Sequence, residues 1–232
     1  MDERDTAAGP DVPGIRLLEL VTVMARLRQE CPWDAKQTHE SLAPHLLEES
    51  YEALEALESG DPEALREELG DVLLQVIFHA EVASERSDGT QYTIDDVADG
   101  ISAKLVRRHP HVFGDVSVSG PDEVKQNWDA IKAAEREAKN GAPGSALDGV
   151  PFGQPALALA AQLQRRAERA GVPPELADLE GSADAAPSEI GAELFALVAR
   201  ARAAGLDPEL ELRAAARAYR DRVHAWERAE GA

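Results

Sequence analysis

Apolar residues recur at helical spacing along most of this chain, and strict two-residue alternation of any length is missing. The pattern predicts helices joined by short breaks. Ile15, Leu18, Val21/Thr22 and Ala25 mark one face of a first amphipathic helix over residues 15–28, and Cys31-Pro32-Trp33-Asp34 turns it into a loop. A second helix is expected from about Leu42 to Ser59, stopped by Gly60-Asp61-Pro62, and a third from about Pro62 to Arg86. The centre of the third, Val72 to Phe78, is apolar nearly all round, which predicts a helix buried in the middle of the core. After Ser87-Asp88-Gly89 a fourth helix begins near Thr93 and ends at His109-Pro110, and a charged one follows from Pro121 to Lys139. Residues 156–169, 188–204 and 208–229 are helical in pattern again, with a loop-like stretch over 171–187. The predicted class is all-α.

These breaks predict four segments: a polar, flexible tail over 1–13, a helical domain over 14–139, a Gly/Pro/Ala-rich linker over 140–155 and a second helical region over 156–232. A faint internal repeat links the two helical parts. Glu68-Leu-Gly-Asp71 opens an apolar stretch in the first, and Glu189-Ile-Gly-Ala192 opens a similar one in the second.

Composition narrows the class without naming a function. Of 232 residues, 44% are hydrophobic and only 4% aromatic, so a core is affordable and is built from helix-forming Ala and Leu. A formal net charge of -20 argues against nucleic acid and anionic membranes as partners. A polyphosphate ligand would then need a bridging cation and locally placed Lys or Arg. The single cysteine, Cys31, makes no internal disulfide and fits a reducing cytoplasm. No signal peptide is read at the N-terminus, and no apolar run approaches the ~20 residues of a membrane span.

The candidate chemistry lies in carboxylates. On the second helix Glu49 and Glu52 share a face, Glu48 is offset from them, and Leu47, Tyr51 and Leu54 point the other way. Ala53 and Ala56 flank the acidic face and leave room for a neighbouring helix. On the third helix Glu68 and Asp71 stand one turn apart, with Gln75 and His79 continuing the face. The glutamates of the second helix alone also read as a solvated surface. Glu68 and Asp71 open a helix with few faces free to reach water, where like charges repel unless a cation joins them. Four carboxylates at two such spacings suit Mg²⁺, a hard ion that takes oxygen ligands. A di-iron bundle would need paired Glu-x-x-His motifs, and zinc would need Cys or His at ligand spacing; neither pattern is present.

Lys104, Arg107 and Arg108 cluster at the end of the fourth helix, followed by His109 and His111. They read either as favourable charge at a helix C-terminus or as a clamp on phosphate oxygens. His109 and His111 read either as supports behind the residues that hold the ligand or as caps bonded to local carbonyls. Trp128 and Lys132, one turn apart, read as a core Trp with a surface Lys or as a lid over a nucleotide. Trp33, with Asp34 and Lys36 beside it, sits in a loop where a base could stack.

In combination these segments resemble the MazG-type, all-α nucleoside triphosphate pyrophosphohydrolases. The resemblance rests on Glu48-Glu49-x-x-Glu52 and Glu68-x-x-Asp71, on Cys31-Pro-Trp-Asp34-x-Lys-Gln-Thr38, and on Lys104-Leu-Val-Arg-Arg-His-Pro-His-Val-Phe113. Trp128-x-x-Ile-Lys132 and Ser145-Ala-Leu-Asp-Gly-Val-Pro151 continue it, so it is close over about residues 15–170 and loose beyond. It implies a helical bundle, a homodimer, and Mg²⁺-dependent hydrolysis of NTPs or dNTPs to monophosphate and pyrophosphate, with Mn²⁺ as a possible substitute. It implies Glu49, Glu52, Glu68 and Asp71 as metal ligands and Glu48 as the residue that positions or activates water. Lys104 and Arg108 would hold the triphosphate, with Trp128 and Lys132 closing over it. Such proteins usually carry two tandem copies of the domain. Here Ala192 stands where Asp71 does, and the Glu-Glu-x-x-Glu helix has no counterpart before it, which implies a degenerate second copy. A narrower dUTPase or dCTPase, or a helical interaction module without catalysis, are the alternatives.

Overall fold

The computed structural model describes residues 14–140, 145–177 and 188–230. The segment 1–13 read as a tail, part of the linker (141–144) and part of the expected loop (178–187) lie outside the described residues. Among the described residues there is no strand. The chain divides into two compact units between Asp129 and Ala130, a point inside a helix.

The first unit holds α1 (Ile15–Glu30), α2 (His39–Ser59), α3 (Pro62–Ser84), α4 (Ile94–Arg108), the single turn α5 (Pro110–Phe113) and the start of α6 (Pro121–Asn140). Most ends carry their sequence signals. Thr38 caps α2 in a reciprocal box with Ser41, and Thr93 caps α4 in another with Asp96. The α2–α3 junction is compressed into three residues: Gly60 ends α2 at φ 73°, Asp61 caps α3 through the amides of Glu63 and Ala64, and Pro62 takes the first helical position. So short a turn forces α2 and α3 into an antiparallel pair, the most extensive packing in the unit.

α3 is central, as its apolar middle requires; it packs on α1, α2 and α4. Met24, Leu42, Ile77 and Phe78 form the buried cluster, with Leu20, Val21, Leu73, Leu74, Val82 and Ile94 against it. Two expectations need correction. The buried face of α1 runs through Leu20, Val21, Met24 and Arg28, whereas Ile15, Leu18 and Thr22 are exposed, Leu18 to 62%. Apolar letters occur on more than one face of α1, and the face that packs on the core is the one that runs through Leu20, Val21 and Met24, with Arg28 in line. α2 also starts three residues earlier than expected. The Thr38 cap sets the start at His39, and Pro44 lies inside the second turn of α2 without ending the helix.

The second unit contains α7 (Ala156–Arg169), α8 (Glu189–Ala203) and α9 (Pro208–Glu230), joined by tertiary packing of α7 on α8 and α9. Ala161 and Val198 are its buried apolar residues within helices. Buried Gln164 donates from Nε2 to the Phe195 carbonyl at 2.8 Å and accepts from Arg202, whose guanidinium also meets Glu168.

Candidate active site

The tight turn at Gly60 fixes what faces what. Residues equally far from it along α2 and α3 lie opposite one another, which pairs Glu52 with Glu68 and Glu49 with Asp71. The electrostatics agree: the strongest charge acting on Glu68 is Glu52, and on Glu49 it is Asp71. Carboxylate oxygens of Glu49, Glu68 and Asp71 lie within 4.8 Å of one another, all half-buried. Glu52 falls outside that mutual distance but acts on both Glu49 and Glu68. Glu48 is more exposed and faces His45, whose Nδ1 lies 3.7 Å from Oε2.

Partial burial, then the neighbouring carboxylates, raises the pKa of both Glu49 and Glu68; at Glu49 a hydrogen bond with Glu52 adds to the shift. Negative charge is thus concentrated on two facing helices, where burial and neighbouring carboxylates both act against it, which is the chemistry of a cation-binding group.

The other expected residues sit around two aromatic points. Trp33 is exposed to 53%, and its ring meets His45 edge-on at 6.1 Å and Phe78 at 6.4 Å. Asp34 and Lys36 bound the short 3₁₀ turn that follows, Asp34 half-buried and Lys36 exposed. At the end of α4 the Arg108 guanidinium lies over Trp128 at 5.9 Å, so Trp128 is a half-open ring under a cation instead of a core residue. Lys104 and Arg107 are exposed on the last turns of α4, and Lys132 stands one turn beyond Trp128 on α6. His109 bonds the Leu105 carbonyl through Nδ1 at 2.7 Å, the capping role its sequence context suggests.

The structure adds three features to the sequence reading, which places Gln75 and His79 on the acidic face of α3 without partners. Arg28, 9% exposed, is buried against Phe78 and bonded to Glu85. His39 and His79 are hydrogen-bonded through Nδ1 atoms 2.8 Å apart, and burial followed by the charge of His39 lowers the His79 pKa. Gln75, 5% exposed, keeps Oε1 without a partner one turn below Asp71. The Arg28–Glu85 and His39–His79 pairings join residues far apart in sequence, which periodicity does not register.

An all-α domain with carboxylates converging from two antiparallel helices is the class that fold and site define. Within that class the comparisons are specific. The MazG nucleotide pyrophosphohydrolase domain matches residues 37–113, from the α2 cap to the end of α5. The nucleoside triphosphate pyrophosphohydrolase/pyrophosphatase MazG of Thermotoga maritima is 40% identical over 225 residues, 90% of this chain and 84% of that one. An uncharacterized 26.1 kDa protein of Streptomyces cacaoi is 46% identical over 220 residues, 94% of this chain and 85% of its own. The nucleoside triphosphate pyrophosphohydrolase of Mycolicibacterium smegmatis is 47% identical over 174 residues, 75% of this chain, and the match spans about half (52%) of that protein. The chain belongs to the MazG family of nucleoside triphosphate pyrophosphohydrolases. Among the described residues no helix is long and apolar enough to cross a membrane.

Proposed function

We propose that this chain hydrolyses nucleoside triphosphates, ribo- and deoxyribo-, to nucleoside monophosphate and pyrophosphate, with Mg²⁺ as its metal and Mn²⁺ as a substitute. The observation that carries the reading is the convergence of Glu49, Glu68 and Asp71 across the α2–α3 pair in a member of the MazG family. The donor set fits the ion: hard carboxylate oxygens on two rigid helices, with the affinity of Glu49 and Glu68 for protons raised as in a site short of positive charge. Glu52 joins them as the fourth ligand. When bound, Mg²⁺ neutralises phosphate oxygens and eases departure of pyrophosphate.

The chain's own groups do the rest. Glu48, beside the ligands, takes the proton of a water that attacks the α-phosphorus; the bond from that phosphorus to the bridging oxygen breaks and pyrophosphate leaves with it. Lys104 and Arg108, with Arg107, hold the triphosphate oxygens. Trp128 and Lys132 close over the nucleotide, and Trp33, with Asp34 and Lys36, provides an edge on which the base rests. Residues 14–139 form the catalytic domain, 140–155 the linker, and 156–232 a degenerate second copy that binds no Mg²⁺ and supports the fold or a homodimer interface. The protein works in the cytoplasm on free nucleotides, apart from nucleic acid and membranes.

Incubating a panel of NTPs and dNTPs with Mg²⁺ and resolving the products tests the reading. Monophosphate and pyrophosphate are expected. Inorganic phosphate as the first product places the attack at the γ-phosphorus and overturns the proposal, as does no turnover of any nucleotide.

A further inference from the structure

A charged side chain in the core of the first unit is spent on holding a loop. Arg28 leaves only 6% of its side chain exposed, although it belongs to a residue type that is seldom buried without a partner. Its fork is fully engaged. Nε donates to Glu85 Oε1 at 2.8 Å and Nη2 donates to Glu85 Oε2, a bidentate pair with the residue that ends α3. Nη1 donates to the Asp34 carbonyl and, at 3.1 Å, to the Gln37 carbonyl. The guanidinium lies 5.8 Å from the Phe78 ring centroid, and Trp33 meets the same ring. Glu85 answers this arrangement: the hydrogen bond and charge of Arg28 hold its carboxyl below the usual range.

The two carbonyls belong to the residue that follows Trp33 and to the residue that ends the Trp33–Gln37 segment, whose regular structure is a single 3₁₀ turn over Asp34–Lys36. Its internal bonds are short-range: Gln37 donates to the Trp33 carbonyl, and Lys36 and Gln37 amides bond back to Trp33 and Asp34. Arg28 adds a hydrogen-bonded anchor to Glu85, 57 residues away, beside the ring contact of Trp33 with Phe78. We propose that Arg28 is a positioning residue for substrate binding. It fixes the Trp33–Gln37 loop against the end of α3, so that the Trp33 ring is presented beside His45 and the carboxylate helix in a single orientation. The proposal rests on the reading of Trp33 as the edge that meets the base. A preorganised aromatic surface binds a ring with less loss of freedom than a mobile one. Holding the loop therefore acts on nucleotide affinity and leaves the metal carboxylates on α2 and α3 untouched.

The test is steady-state kinetics on the full chain with Arg28→Lys, Trp33→Ala and wild type, together with Mg²⁺ calorimetry and melting temperature. Lysine keeps a charge for Glu85 but lacks the planar fork that reaches both carbonyls. The expected result for Arg28→Lys is a rise in KM of about tenfold with kcat within about twofold of wild type and Mg²⁺ affinity unchanged. Trp33→Ala should show the same split. Glu85→Gln, which frees Arg28 from its charged anchor, should raise KM by a smaller factor and carries the test if Arg28→Lys does not fold. An unchanged KM in Arg28→Lys beside a raised KM in Trp33→Ala overturns the positioning role. An unchanged KM in Trp33→Ala instead overturns the base-edge reading beneath it. If kcat and Mg²⁺ affinity fall together with melting temperature, Arg28 is only a structural residue and the proposal fails.

Discussion

Two helices of this chain carry a Glu-x-Gly motif ahead of an apolar stretch and stand in different surroundings. α3 carries Glu68-Leu-Gly-Asp71 near its start and faces α2, whose Glu49 joins both acids within 4.8 Å. α8 opens with Glu189-Ile-Gly-Ala192, capped by Ser188, and packs on α7, which brings Gln164 and Glu168 to Phe195 and Arg202. Among the described residues the α2–α3 acids are the one cluster of three or more suited to a metal. The motif therefore acquires chemistry from its own second acid, Asp71 where α8 has Ala192, and from the helix laid against it. In α3 the neighbour supplies more acid; in α8 it supplies the Gln164 amide and the Glu168 carboxylate, both bonded to Arg202 of α8 in contacts that serve packing.

The sharpest way to break this contrast is to substitute one acid in each helix. Asp71→Asn keeps volume and removes a charge from the cluster, and its rate is expected to fall of order 10²-fold or more, a typical cost of removing electrostatic stabilisation. Glu189→Ala should retain wild-type rate. A Glu189→Ala enzyme as inactive as Asp71→Asn would show that the second unit carries the chemistry.

Thermal unfolding sharpens the same contrast. Saturating Mg²⁺ should raise the melting temperature of the wild type, since an ion bound only by the folded state at about 100 times its dissociation constant adds about 2.7 kcal/mol. Asp71→Asn should melt slightly higher than wild type without metal, because one of the charges that raise the Glu49 and Glu68 pKa is gone, and should gain little from Mg²⁺. A lower apo melting temperature for Asp71→Asn would mean that the carboxylates stabilise the fold instead of straining it.

Acid titration gives a smaller effect with two opposing parts. The folded pKa of His79 lies below its usual 6.5, so the folded chain resists a proton that the unfolded chain accepts. Its contribution is present above 6.5 and is lost as pH falls from there toward the folded value. Glu49 and Glu68 are raised above their usual 4.5, so their strain is absent below 4.5 and grows as pH rises through their folded values. His79→Gln should therefore flatten the loss of stability of the metal-free protein just below pH 6.5, measured by denaturant melts. An unchanged slope in that variant removes the His39–His79 pair from the account.

How much of this could be read from the letters varied with the range of the interaction. Helix ends were legible where the signal is local: Asp61-Pro62 opens α3 and Thr93 opens α4. The carboxylates were legible because two i,i+3 pairs flank one tight turn at Gly60, which carries the register across. The burial of Arg28 was not, since its partner Glu85 is 57 residues away and a basic letter on an amphipathic helix normally marks the wet face. The same holds for His39 and His79, 40 residues apart. Trp128 stood between a core and a lid reading; its contact with Arg108 comes from the approach of α4 and α6, which no pattern within either helix encodes.

The central claim is that one half of the chain holds the metal and does the chemistry. Titrating Mg²⁺ into the full chain by calorimetry, side by side for wild type, Asp71→Asn and Glu189→Ala, tests it most directly. The account predicts specific binding in wild type that survives Glu189→Ala unchanged and disappears in Asp71→Asn. Binding that persists in Asp71→Asn and is lost in Glu189→Ala would contradict it.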